Sequence, residues 1–244
     1  MKKISVASGK GGVGKTSFAI ALAKKLTGRY RIALVDLDIQ MLNVRDELGG
    51  SIGWKGDKLI PVRDKNLEYV FYDAAKKSQI TWKHGDYGSI GEQLIHRVEW
   101  NDPNFMILDL PPGIDEISKR ILPTCDSVIL VTHPHPFSIS NVNRVIEFCR
   151  DKEIPVSGMI LNYSGFVCPA CGKELYLDHA DLDFDPSIPI ISQIPYIPNV
   201  KIDDIARYID LPRVIDSIRS PTKLKKWGNI RTRILKQLLK KGVV

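Results

Sequence analysis

The sequence has no long apolar run and no compositional bias. No uncharged apolar stretch approaches the ~20 residues of a membrane-spanning helix. The apolar stretch after Met1 ends at Ser8, which is too short for a secretory signal. Hydrophobic residues make up 43% and charged residues 26% of the 244 residues, ordinary values for a chain that buries a core. Disordered and fibrous proteins are therefore excluded, and we expect one globular domain over residues 1–244 in the cytoplasm.

Cysteine is scarce, with four in the chain. A cytoplasmic chain keeps its thiols reduced, so no disulfide framework is expected. Cys125 precedes a predicted core strand and Cys149 lies in a predicted helix, so both are expected to be small buried side chains. Cys168 and Cys171 form a CxxC pair, the spacing of two thiolates on a tight turn that hold one Zn²⁺ or one edge of an iron–sulfur cluster. A redox pair or an inert turn stays open, but the pair follows a predicted parallel strand, which favours metal.

Further ligands for this pair are few. A closed tetrahedral site needs four donors, and His179 is a possible third within the segment 163–180. His133 and His135 could together clasp a metal, but Pro134 and Pro136 suggest a rigid loop instead.

Acidic residues are missing from the C-terminal stretch. From Ser217 to the end there are nine Lys and Arg and no Asp or Glu, whereas the rest of the chain is close to neutral. Apolar residues recur at helical spacing within about 221–241, which predicts a basic amphipathic helix. Such a helix could cover its own core, bind an anionic membrane surface or bind nucleic acid. Packing on the core is favoured because it is the commonest use of an amphipathic helix.

Strand and helix patterns alternate along the chain. Helices are predicted over 16–26, 90–98 and 138–150, and the region 43–104 as a whole is expected to be a surface insertion. Apolar strands are predicted over 4–7, 31–36, 105–110, 127–132, 156–162 and 188–194. This order predicts an α/β fold, doubly wound, with a mainly parallel sheet and helices on both faces.

The first strand leads into a phosphate-binding loop. Its sequence GKGGVGKT fits GxxxxGK[ST] between a strand and a helix, where backbone N–H groups and the helix N-terminus can cradle phosphate. Lys15 is placed to reach the β- and γ-phosphates and the Thr16 hydroxyl to bind Mg²⁺. The predicted nucleotide-binding residues are Gly9, Lys10, Gly11, Gly12, Val13, Gly14, Lys15, Thr16 and Ser17.

Carboxylates follow two of the predicted strands. Asp109 ends the strand FMILD, beside the loop, where it could hold the hydration shell of Mg²⁺. Asp36 and Asp38 follow the second strand at the same edge of the sheet. Asp36 could support catalysis or simply cap the strand end.

Three segments resemble one family of ATPases. The loop with its extra Lys10 resembles the deviant phosphate loop of the MinD/ParA/Mrp class. The segment 80–85 (ITWKHG) ahead of FMILDLPPG, and LNYSGFVCPACG over 161–172, resemble the iron–sulfur cluster carriers of the Mrp/ApbC type. The similarity covers roughly residues 1–218.

The resemblance implies a dimeric, Mg²⁺-dependent ATPase that binds a 4Fe-4S cluster and delivers it to apo iron–sulfur proteins. Lys10 would then reach the nucleotide of the partner chain, and Asp38 would orient the attacking water. Asn162 would bond the adenine edge and Pro195 would pack beside the base. Cys168 and Cys171 would hold the cluster at the dimer interface. Zinc at the cysteines, or a positioning ATPase acting on membrane or DNA through the basic helix, are the alternatives.

Overall fold

The structure is a computed structural model that describes residues 1–38, 43–71, 87–177 and 182–225. Nine strands of the described residues form one sheet, and two more form a separate hairpin. In chain order the strands are β1 (Lys2–Ala7), β2 (Ile32–Asp36), β3 (Gly53–Lys55), β4 (Lys58–Ile60), β5 (Val62–Asp64), β6 (Leu67–Val70), β7 (Phe105–Asp109), β8 (Ser127–Thr132), β9 (Val156–Val167), β10 (Glu174–Tyr176) and β11 (Ile190–Tyr196).

The large sheet is mainly parallel, as predicted. Its order is β10-β9-β8-β1-β7-β2-β6-β5, and β11 also pairs with β9. Only the pairings β5–β6 and β9–β10 are antiparallel. In the register, Asp109 lies beside both Val6 and Asp36. The ends of three neighbouring strands therefore bring the phosphate loop and the carboxylates to one edge, where ligands bind in open α/β sheets.

Helices cover both faces of this sheet. Successive strand residues point to opposite faces, so Ala33 and Val35 join one hydrophobic cluster while Ile32 and Leu34 join the other. The helices are α1 (Lys15–Leu26), α2 (Asn43–Leu48), α3 (Tyr87–His96), α4 (Glu116–Ile121), α5 (Pro136–Asp151), α6 (Ile202–Arg207) and α7 (Leu211–Arg219). The first cluster contains side chains of α3, α4 and α5, and the second contains side chains of α1, α6 and α7. The predicted doubly wound fold is confirmed.

The expectation of a surface insertion over 43–104 is wrong for β6. This strand is buried along its whole length and pairs in parallel with β2 inside the main sheet. The region looks exposed because it is rich in Gly, Lys and Asp. The one acidic residue of β6, Glu68, has partners, since its carboxylate accepts from Arg63 Nε at 2.6 Å and from the Asn101 N–H at 2.8 Å. A buried charge with such partners is compatible with a strand.

Strand β9 extends five residues beyond the predicted end at Asn162. Tyr163 follows in the left-handed region with φ of 56°, a conformation uncommon for a residue other than glycine. The chain then continues to Val167 and turns back into β10, so the cysteine pair lies on the turn of a β-hairpin. The hairpin projects the pair beyond the part of β9 that contacts β8.

The start of the predicted basic helix is not helical. Residues 221–225 form an isolated bridge instead, in which Thr222 exchanges two backbone hydrogen bonds with Val156, at 2.8 and 2.9 Å. The remainder of that prediction, with Ile39–Leu42, the segment 80–85 and His179, lies outside the described residues. Within the described ranges, no helix has the length and apolar character needed to cross a bilayer.

Candidate nucleotide and metal site

Residues 8–14 connect β1 to α1 as a glycine-rich loop. Gly12 and Gly14 have φ of 75° and 83°, a region that side chains disfavour, and Gly14 is the residue before the first turn of α1. The loop thus leads directly into the helix N-terminus, where free N–H groups and the helix dipole favour phosphate. This arrangement has the strand, loop and helix order that the motif predicted.

Asn162 of β9 braces this loop. Its Nδ2 donates to the carbonyl of Val13 at 2.9 Å, and a Cβ added to Gly14 would overlap the same amide. Pro195 lies next to Ile194, the residue of β11 that pairs with Asn162. The two residues expected near the adenine are therefore neighbours behind the loop, and their contact with a base stays a prediction.

Gly9 packs against the backbone of α5. A Cβ at this position would overlap backbone atoms of Asn141 and Val142, which cannot move aside as a flexible side chain could. We expect Gly9→Ala to lower the free energy of unfolding by about 1–3 kcal/mol, as overpacking does. Gly11→Ala is the matched control, because its Cβ would approach Pro112 only at an ordinary 3.9 Å. Equal melting temperatures of the two variants, measured without nucleotide, would contradict this.

Lys15 is paired with Asp109 in this structure. Lys15 Nζ lies 2.6 Å from Asp109 Oδ1, and the two side chains are 6% and 0% exposed. Lys15 Nζ is also 3.4 Å from Thr16 Oγ1. The Asp109 carboxylate thus holds Lys15 at the loop. A phosphate group carries the same sign of charge and can replace this carboxylate as the partner of Lys15.

Asp36 caps the end of β2. Its Oδ1 accepts from the Asp38 N–H at 3.0 Å and its Oδ2 from the Val44 N–H at 3.3 Å. Burial, together with the nearby Asp109 carboxylate, raises the pKa of Asp36 well above its usual value, against the opposing effect of these hydrogen bonds and of Lys15. Of the two roles left open for Asp36, the structure shows the cap.

The donor set fits a hydrated Mg²⁺. Oδ2 of Asp109 is buried and has no hydrogen-bond partner among the described residues. A buried carboxylate oxygen without a partner is costly, and a metal-bound water would satisfy it. The hydroxyl of Thr16 lies on the same side, at the first turn of α1.

A cleft of about 500 Å³ opens over the loop. Asp38 lines this cleft and is buried. This position is compatible with the expectation that Asp38 orients the attacking water. Tyr163 and Ile202, which the sequence analysis did not single out, line the cleft as well. The only signal for Tyr163 was its place after Asn162, and for Ile202 there was none, because α6 reaches the cleft through the tertiary fold.

The two histidines after β8 have separate positions. His135 caps α5, since its Nδ1 accepts from the Phe137 N–H at 3.3 Å. His133 packs on the Tyr163 ring with centroids 4.6 Å apart, and burial together with the nearby Lys10 lowers its pKa. No group of three or more His, Cys, Asp and Glu among the described residues could hold a metal ion. The two histidines therefore serve as a helix cap (His135) and as a packing contact (His133).

The CxxC pair occupies a tight, accessible turn. The Cys168 N–H donates to Lys173 O at 2.9 Å and the Gly172 N–H donates to Cys168 O at 2.8 Å, closing the turn. The backbone N–H groups of Cys171 and Ala170 hydrogen-bond the Cys168 sulfur and lower the pKa of this thiol. Cys171 is exposed. The turn therefore favours a thiolate, the form that binds metal.

Cys125 and Cys149 are buried, as predicted. Burial raises the pKa of Cys125 to about 11 and that of Cys149 to about 12. Both are thus protonated and shielded, so the accessible thiols of the described chain are those of the turn.

Comparison with known proteins identifies the family. A family model described as the ParA-type NUBPL iron-transfer P-loop NTPase matches residues 1–203. A cytosolic Fe-S cluster assembly factor NUBP2 homolog of Nematostella vectensis is 33% identical over 85% of both chains. An iron-sulfur cluster carrier protein of Methanococcus maripaludis is 30% identical over 71% of this chain and 64% of its own.

A solved structure shares the fold. The nucleotide-binding protein of Archaeoglobus fulgidus, in complex with ADP, superposes with a TM-score of 0.69 at 22% identity, covering 84% of this chain and 86% of its own. The matched sequence, the phosphate loop and the shared fold agree: this chain belongs to the family of NUBPL-type iron-transfer P-loop NTPases.

Proposed function

We propose that this protein is a Mg²⁺-dependent ATPase that carries a 4Fe-4S cluster between the CxxC turns of two chains and delivers it to apo iron–sulfur proteins. The observation that carries the proposal is a thiol pair on an accessible turn directly after β9, the strand that also contains Asn162, which braces the phosphate loop. The names of the two relatives point to the same cargo. A cytosolic location belongs to the proposal, in line with the name of the first of them.

The ATP site works by exchange of partners at Lys15. In this structure Asp109 neutralises the ammonium group. A bound phosphate would be an alternative partner for Lys15, and Asp109 and Thr16 would then hold a hydrated Mg²⁺. Mg²⁺, when bound, neutralises charge on the β- and γ-phosphates.

Asp38 is proposed to position the attacking water. It is buried and lines the cleft above the loop. We expect Asp38→Asn to lower the rate of ATP hydrolysis by roughly 10²-fold, while ATP binds with little change, because its contact is made to water rather than to the ground-state nucleotide. Single-turnover hydrolysis and equilibrium ATP binding test this. An equal loss in both would contradict it.

Lys10 is proposed to act on the nucleotide of the partner chain. It lines the cleft from the loop side, and a cation supplied in trans stabilises charge in the transition state. Lys10→Ala is expected to lose turnover with near-normal ATP affinity.

Mixing variants tests the direction of this contact. A mixed dimer of Lys10→Ala and Asp38→Asn chains contains one site with both residues only if Lys10 acts in trans. Random pairing should then restore about a quarter of the wild-type rate, since half of the dimers have one intact site of two. Activity equal to the mean of the separate variants would place Lys10 in cis.

The cluster is proposed to lie between two copies of the turn. One chain supplies two thiolates, half of a four-cysteine set, so a two-fold axis completes it. Large apolar side chains are exposed on the hairpin and beside it, which suits a protein interface. They are Phe166, Leu175, Tyr176, Leu177 and Tyr196.

Transfer of the cluster tests the function. Protein reconstituted anaerobically with iron and sulfide should show the broad visible absorption of an iron–sulfur cluster. It should then convert an apo-ferredoxin to its holo form faster than free iron and sulfide do. If apo-ferredoxin were converted no faster by the protein than by free iron and sulfide, the proposed carrier function would be contradicted.

A further inference from the structure

The cysteine hairpin is tied to a helix that borders the nucleotide cleft. Glu174, the first residue of β10, accepts a hydrogen bond from the Tyr208 hydroxyl at 2.8 Å. It also accepts one from the Tyr176 hydroxyl at 2.9 Å. The two bonds connect different parts of the fold. Tyr176 belongs to the hairpin itself, whereas Tyr208 is the residue that caps the C-terminus of helix α6.

Helix α6 is in turn fixed to the phosphate-loop helix. Lys25 Nζ, near the end of α1, donates to the carbonyls of Ala206 at 2.6 Å and Ile209 at 2.8 Å. These two carbonyls flank Tyr208 in sequence. At its other end α6 places Ile202 in the wall of the cleft. Tyr208 therefore lies beside carbonyls held by α1, directly after a helix that lines the cleft.

The hairpin has a second attachment to the site. Asn162 donates to Val13 in the phosphate loop, and β9 runs from there to the turn. Two contacts on opposite sides thus connect the turn to nucleotide-binding elements. Of these, the Glu174–Tyr208 contact involves no residue that lines the cleft or belongs to the CxxC pair, so it can be altered separately.

We propose that the Glu174–Tyr208 hydrogen bond couples the nucleotide state of the cleft to the hold of the CxxC turn on its metal. Tyr208 and Glu174 are positioning residues: Tyr208 follows α6 as the cleft fills, and Glu174 transmits that position to the hairpin. The proposal rests on the function proposed above. It also has a reciprocal consequence, because metal on the turn must change nucleotide affinity by the same factor.

A matched pair of variants isolates this contact. Tyr208→Phe and Tyr176→Phe each remove one phenol hydroxyl from Glu174, but only the first breaks the bridge to α6. The full-length protein is reconstituted with iron and sulfide, and the rate of iron release to a ferrous chelator is measured with ADP and with a non-hydrolysable ATP analogue. Coupling between linked sites typically changes affinity by about 5–150-fold, and the ratio of the two release rates reports whether such a coupling acts on the turn.

We expect the iron-release rates with ADP and with the ATP analogue to differ by at least threefold in the wild type. Tyr176→Phe should show the same ratio of rates as the wild type. Tyr208→Phe should bring the ratio to within about 1.5-fold of unity, with the iron content and the nucleotide affinity of the metal-free protein unchanged. Glu174→Gln, which keeps an acceptor oxygen but removes the charge, should give an intermediate ratio.

The outcomes separate this proposal from the function itself. Stoichiometric iron with the same ratio in Tyr208→Phe as in the wild type would overturn the coupling and leave the carrier function intact. A ratio of unity in the wild type would do the same. Equal loss of coupling in both tyrosine variants would show that Glu174 acts only within the hairpin, and would also overturn it. A protein that binds no iron at the turn would remove both proposals together.

Discussion

Lys15→Met will lower ATP affinity roughly 10²-fold or more, since a charge-assisted contact to phosphate is lost from a buried site. The same change leaves the fully buried Asp109 without its cation, and breaking a buried ion pair costs about 3–5 kcal/mol. A loss of binding could therefore reflect unfolding. Equilibrium binding of a fluorescent ATP analogue, alongside chemical denaturation, measures the two effects separately.

The double variant Lys15→Met/Asp109→Asn removes both charges together. It should recover most of the stability that Lys15→Met loses, because no unpaired buried charge remains, yet it should still bind ATP weakly. Asp109→Asn alone, assayed without Mg²⁺, should keep ATP affinity within a few-fold of the wild type. Wild-type affinity in the double variant would contradict the role of Lys15 at the phosphates.

Cys171→Ser will abolish iron uptake while ATP hydrolysis continues. In the proposed site the turn would hold its metal through two thiolates per chain, and a hydroxyl is a poor replacement for a soft ligand. No phosphate contact uses these thiols, so the nucleotide chemistry should largely survive. Iron and sulfide analysis after anaerobic reconstitution, with ATPase assays on the same preparation, gives both quantities.

Cys125→Ala is the matched control for this prediction. Cys125 is a thiol of the same chain, but it is 9% exposed and its pKa is about 11. Its loss should cost some stability and leave the iron content unchanged. Equal iron loss in Cys125→Ala and Cys171→Ser would mean that the turn is not the metal site.

Local signals in the sequence predicted the phosphate loop and the strands that hold it. GKGGVGKT needs only a preceding strand and a following helix, and FMILD needs only its own apolar run. These features place Lys15 at the start of the helix after β1 and Asp109 at the end of the neighbouring strand β7, and the structure pairs the two side chains.

Long-range pairing hid the remaining features. The many Gly, Lys and Asp residues around β6 made the region look exposed, whereas its pairing with β2 joins parts of the chain that are distant in sequence. The predicted end of β9 at Asn162 was too early, because hairpin pairing with β10 continues the strand to Val167. The bridge from Glu174 to Tyr208 spans 34 residues and follows no periodicity, so sequence patterns could not indicate it.

The number of iron atoms per chain, determined together with the oligomeric state, tests whether two chains share one cluster through their CxxC turns. The reconstituted protein would be analysed by native mass spectrometry under anaerobic conditions, with iron, sulfide and zinc determined on the same sample. We expect a dimer with one 4Fe-4S cluster per two chains, and a Cys171→Ser protein without the cluster. One metal ion on each monomer, or one zinc per dimer with no uptake of iron, would contradict it.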